Sequence, residues 1–222
     1  MKSFIDLLKY KILKTGYTSN KHELYRHYIK LFISGIISSI GLGLNSSPLV
    51  VGGLLISPLF NPISHIILYF FTIKNKSFIL KYILYLTLDV FILFSLGYLG
   101  GFFFDRLKRK YKVDKNSKET AEHLPEDLIT DQMFYRTGIV PIIANCIVCF
   151  LGGVLMLNTF LKDDISYSIG ISICISFIIP IVNSGMLTYH SQYYSAIQSF
   201  LIFISGLFVF MFSIIFFSFT YL

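Results

Sequence analysis

Asp89 lies inside the apolar run YILYLTLDVFILF, where a carboxylate has no water to ionise into. In a hydrocarbon setting such a group costs about 2.5–3.5 kcal/mol even on the lower insertion scales. It must therefore face protein or water, or carry a proton. Two readings follow: a cation or proton site, or a protonated acid hydrogen-bonded to a neighbouring helix. No Lys, Arg or second acid is expected at the same depth, which argues against a dedicated proton pump. His65 and His190 stand at loosely comparable places in the two halves of the chain. Each imidazole could sense pH or shuttle protons, or simply be a wetted interfacial residue.

Pro58, Pro62 and Pro180 interrupt apolar runs of the same kind. A proline inside a helix removes a backbone donor and clashes with the preceding turn, at ~3 kcal/mol or more. Lipid offers nothing to repair the damage. Ser57, Asn61 and Asn183 are the nearby groups able to bond the freed backbone, and Gly52, Gly53 and Gly185 would let a neighbouring helix approach. Paired breaks at mid-depth expose helix ends that hold an ion or polar solute. The alternative is that the prolines only shape helix packing.

Catalysis is not expected. An intramembrane aspartyl protease needs two carboxylates at one site, and only Asp89 is deep. There is no His-Glu-x-x-His metal motif, and Ser57 and His65 lack a Gly-x-Ser-x-Gly setting or an orienting acid. Cys146-x-x-Cys149 reads as two small packing residues, and with Cys174 the cysteine count is odd. No cofactor, metal, nucleic-acid or nucleotide motif is expected.

These residues need elements that cross a bilayer. Of 222 residues, 55% are hydrophobic and 14% charged, and the mean hydropathy is +0.69. Soluble domains run nearer ~45–50% apolar and ~25% charged. Polar clusters cut the chain into six apolar blocks: Tyr28–Leu44, Leu49–Ile73, Phe78–Phe104, Gly138–Leu161, Ile165–Tyr189 and Ala196–Leu222. Most reach the ~20 residues a membrane helix needs. The long polar stretch between the third and fourth blocks divides them into halves of similar layout, each with a proline block, a short polar turn and a Phe-rich block. An odd number of spans per half inverts the second half relative to the first.

The expected fold is thus an all-α integral membrane protein of six transmembrane helices, arranged as two three-helix inverted repeats with Pro-broken second and fifth helices. Residues 1–27 form an amphipathic, basic N-terminal segment suited to anionic lipid. Residues 28–104 form the first repeat, 105–136 a polar connector and 137–222 the second repeat. The net charge of +7 sits in flanks beside the apolar blocks, which suits headgroups better than nucleic acid. The bilayer is the expected partner, and a homo-oligomer is compatible with so many apolar faces. With six crossings the basic residues divide 11 against 8, whereas proline blocks that re-enter on one side would give 15 against 4. Segment length favours full crossings.

The stretch NSSPLVVGGLLISPLFNPI, with GLGL before it, resembles the signature of the domain of unknown function 389, a family of polytopic membrane proteins. The resemblance continues at Arg136-Thr137, Gly152-Gly153 and FIIPIVNSG, and covers nearly all of the chain after Tyr28. Two positions depart from it: Ile181 replaces the second of two adjacent prolines, and Pro48 stands where a small residue is usual. The family implies the architecture and no substrate. The expected function is a small transporter or channel, with Ser57, Pro58, Asn61 and Pro62 facing Pro180 and Asn183, and Asp89 as an ion or proton site. The alternative is a non-transporting scaffold or lipid-interacting protein.

Overall fold

The structure, a computed structural model, describes residues 21–59, 62–63, 65–66, 76–113, 129–162 and 177–220. The amphipathic part of the N-terminal segment up to residue 20, Asn61, the connector over 114–128, and the start of the fifth block over 163–176 lie outside the described residues. The described residues form seven helices and no strand: α1 (Lys21–Gly43), α2 (Ser47–Ile56), α3 (Lys76–Val113), α4 (Asp131–Phe134), α5 (Ile139–Lys162), α6 (Ile178–Tyr189) and α7 (Tyr193–Thr220).

On α1 the buried residues His27, Leu31, Ser34, Gly35, Ser38 and Leu42 recur at helical spacing and make one inward face. That face mixes two leucines with His27, Ser34, Gly35 and Ser38, while Phe32, Ile33 and Ile36 point outward and exposed. Asn45, at φ +58°, closes α1 in a Schellman turn, with Ser46 N–H bonding Gly41 O at 2.8 Å. The chain then doubles back as α2. Ser34 Oγ donates to Gly53 O at 2.7 Å, and a Cβ at Gly53 would strike Ser38 Oγ. The two helices therefore lie backbone to backbone. Gly52, in contrast, faces open space and brings no neighbour close.

α2 has ten residues and so rises only about 15 Å, half a hydrocarbon layer. Pro48 sits in its first turn, where no donor is needed, and this explains how the chain accommodates that residue. The helix stops at Ile56 because Ser57 precedes a proline and is held at ψ 125°. Ser57 Oγ accepts from Leu59 N–H at 3.3 Å, repairing one freed donor, and Pro58, Pro62 and Ile63 are buried beyond it.

The pairwise contacts fix the direction of each helix. His27, Gly35, Ser39 and Gly43 on α1 meet Asp89, Leu93, Leu96 and Phe104 on α3 in the same order, so α1 and α3 run parallel. On the other side, Asn145 meets Ile202, Cys149 meets Gly206 and Gly153 meets Phe210 and Ser213, so α5 and α7 also run parallel. α6 packs along α3, with Gly97 against Val182 and Gly101 against Tyr189, and then turns back into α7. The α5–α7 pair is therefore opposed to the α1–α3 pair.

Two stretches, Ile79–Leu107 of α3 and Tyr193–Phe217 of α7, are long and apolar enough to cross a membrane. Of their most apolar parts 22% and 33% is buried. Phe91, Val140 and Phe208 are exposed, whereas Asp89, Ser34, Asn183 and Ser199 are sealed inside. Large apolar side chains thus stand on the outside, while a few polar groups are sealed within a core that is itself mostly apolar.

Candidate functional site

Asp89 and His27 are the centre of the site. Both are buried, and His27 Nε2 lies 2.9 Å from Asp89 Oδ2, joining α1 to α3. Asp89 stands roughly 15 Å from the Ile79 end of its helix, given 1.5 Å per residue. Among the described residues its Oδ1 has no hydrogen-bond partner. The partner is a histidine, not the lysine, arginine or second acid that the apolar blocks lack at that depth. His27 had been placed in the N-terminal segment, one residue ahead of the first apolar block, but α1 begins at Lys21 and carries it inside.

Other ionisable rings gather on the same side. Tyr82, Tyr85 and Asp89 fall at helical spacing on one face of α3, and Tyr82 is buried. The His65 ring lies 5.2 Å from the Tyr82 ring, and Tyr82 lies 6.4 Å from Tyr85. Tyr28 sets its ring edge-on to His27 at 5.3 Å and is within electrostatic reach of Asp89 and Tyr85. The structure thus places two separately named residues, His65 and Asp89, along one polar face.

A second polar cluster surrounds the other proline. Pro180 is the third residue of α6, so within that helix its missing N–H deprives no intrahelical bond. It is packed among Ile178, Ile179, Ile181 and Val182, all sealed from solvent. Its carbonyl accepts from Ser199 Oγ at 3.1 Å, and Asn183 Nδ2 donates to Ser199 Oγ at 3.0 Å and to Met133 O at 3.1 Å. Asn183 therefore ties α6, α7 and the short helix α4 together.

α4 in turn caps the α1–α2 turn. Thr130 Oγ1 donates to Leu42 O at 2.7 Å, Gln132 N–H donates to Asn45 Oδ1 at 2.9 Å, and Gln132 Nε2 donates to Ser47 Oγ at 2.8 Å. The Asn45-Ser46-Ser47 part of the signature is thus a docking point for the end of the connector. Beyond α4, Thr137 Oγ1 donates to Phe134 O at 2.8 Å, and burial pushes the Arg136 guanidinium below its usual pKa. His190 is the C-cap of α6, its ring on Tyr189, whose hydroxyl donates to Asp105 at 3.2 Å. It takes no part in the His27–Asp89 cluster.

A cavity of about 480 Å³ opens between α3, α6 and α7, lined by Thr87, Phe91, Phe94, Thr188, Ile197 and Phe200. Its walls are apolar, and neither Pro58 nor Pro180 lines it. Among the described residues no three His, Cys, Asp or Glu side chains gather in a way that could hold a metal ion. Cys146 and Cys149 are free thiols, with Cys149 packed against Gly206 of α7.

No curated protein and no solved structure matches the chain. The family model described as "Domain of unknown function (DUF389)" matches residues 54–212, a span holding Asp89, His65, Pro180 and Asn183. The protein, on the strength of that match, belongs to the DUF389 family.

Proposed function

We propose that this is a multi-pass membrane protein, without enzymatic activity, that moves an ion or polar solute across the bilayer. The observation that carries the reading is the buried His27–Asp89 pair, set inside helices whose outer faces are Phe, Leu and Ile. A buried His–Asp pair at that depth is weak evidence for stability, since apolar residues of like volume often serve as well. An ionisable residue within a membrane helix is by default a functional candidate.

Two parallel pairs, α1 with α3 and α5 with α7, oppose one another, as two three-helix inverted repeats would require. Because α1 and α3 are parallel, the chain must return the full height of the pair between Gly43 and Lys76, which favours a crossing over re-entry. Cysteines introduced at Lys74 and at Lys115 are therefore expected to react with impermeant maleimide from opposite sides of the membrane; labelling from one side supports re-entry.

Flux is tested with the full chain in liposomes against a panel of ions and small polar solutes. Wild-type protein is expected to move at least one of them, and Asp89→Asn to abolish that movement while eluting as wild type on size exclusion. Unchanged flux in Asp89→Asn overturns the assignment of the site. The dry surroundings of Pro180 favour a second reading, a membrane scaffold, in which no solute moves and the same substitution changes only stability.

A further inference from the structure

We propose that His27 and Asp89 form a single-proton site that exchanges with the Lys81 side of the protein along Tyr85, Tyr82 and His65. The proposal rests on the transport reading for its purpose, though not for its test. Loaded, the pair is imidazolium against carboxylate and carries no net charge. Release of one proton, with no electron transferred, leaves neutral imidazole donating through Nε2 to the Asp89 carboxylate, with net charge −1. Arginine in place of His27 would hold its proton firmly; histidine is the side chain whose unperturbed pKa lies near neutral pH.

The distribution of groups around the pair gives the proton a direction. On one side stand Tyr28, Tyr85, Tyr82 and His65, all able to donate or accept a proton or order a water. The Lys81 ammonium lies 5.9 Å over the Tyr85 ring, marking where this series meets the aqueous boundary. On the opposite side the faces close at once with Leu31 and Leu93, one turn beyond His27 and Asp89, both wholly buried. Leu96 then packs against Gly35. The remaining charged and titratable groups of α1 besides its tyrosines, Lys21, His22, Glu23, Arg26 and Lys30, are on its exposed side, and Glu23 pairs with Arg26 at 3.1 Å. From α6 the titratable groups Tyr189 and His190 belong to the far end, beside Asp105. The site is thus open to protons at one end and sealed at the other, as one state of an alternating device would be.

The test is histidine nitrogen NMR on the full chain in lipid, with His27 assigned by the signal lost in His27→Gln. The expected result is that His27 passes from doubly to singly protonated in one step between about pH 5 and 8, and that Asp89→Asn displaces the step by about one pH unit or more. A His27 that stays doubly protonated across that range is a fixed ion pair, and overturns the proposal. The route is read separately, by following proton uptake after a pH jump. Tyr82→Phe with Tyr85→Phe should leave the step in place and slow uptake by ~10-fold or more; an unchanged rate removes the route. Flux with a non-titrating His27 leaves transport standing and the proton site refuted. A titrating His27 without flux does the reverse.

Discussion

A His27→Leu variant is expected to be about 3–5 kcal/mol less stable than wild type, because it leaves the Asp89 carboxylate buried with its principal partner gone. Both members of the pair are sealed from solvent, at 3% and 0% side-chain exposure, so no rotamer change carries the orphaned group to water. Asp89→Leu should show the converse loss, smaller because a neutral imidazole tolerates burial better than a carboxylate. Their combination, His27→Leu with Asp89→Leu, should recover most of the stability, since leucine at both positions replaces a buried polar pair with apolar volume against Leu31 and Leu93. Melting curves of the four proteins in one detergent give the coupling energy directly. Additive losses would mean the two groups do not depend on one another. Recovery of stability without recovery of flux would separate the functional role of the pair from its structural one.

The reach of sequence reasoning can be followed at these same residues. Asp89 was legible because a lone carboxylate in an apolar run carries a large and unambiguous penalty. His27 was not, because block edges were drawn where polar residues begin, whereas a helix continues through Lys, Arg and Glu, which are good helix formers. The same cause shortened α3, which runs on past Phe104 through basic residues to Val113. The signal that could have found His27 was the spacing 27, 34, 38, which puts a histidine and two serines on one helix face that has to meet protein if the outside is lipid. Pro58 was read as a break and is one, since the residue before a proline is forced out of the helical region. Pro180 was read by the same rule, yet the described helix begins two residues before it. Whether a proline interrupts a helix or starts one depends on the capping around it, which a single apolar string does not display. The docking of α4 on Asn45 was illegible for another reason: it joins residues 87 positions apart through side-chain geometry that no local pattern encodes.

Placing valine at Gly97 or at Gly185 should be the other severe change, because these glycines let α3 and α6 touch through their backbones. A Cβ at Gly97 would run into the Val182 carbonyl, and one at Gly185 into the Phe94 carbonyl with Tyr98 N at 2.8 Å. A flexible side chain can swing aside from such a contact; a helical carbonyl moves only if its whole helix moves. Overpacking of this kind usually costs ~1–3 kcal/mol, and the upper end is expected here because both obstructing atoms belong to regular helix. The two helices also come from opposite halves of the chain, so separating them opens the contact through which the α1–α3 pair and the α5–α7 pair are held in opposed directions. Small residues have this use in membrane proteins because lipid gives helices no hydrophobic reason to associate, and close packing supplies the attraction instead. Gly52 provides the control, since a Cβ there meets nothing within 4 Å. Gly52→Ala should raise stability by ~0.5–1 kcal/mol through its better helix propensity. Melting temperatures in detergent that fall for Gly97→Val and Gly185→Val while holding or rising for Gly52→Ala would locate the stability in helix contact; equal losses at all three sites would assign it to glycine's backbone freedom.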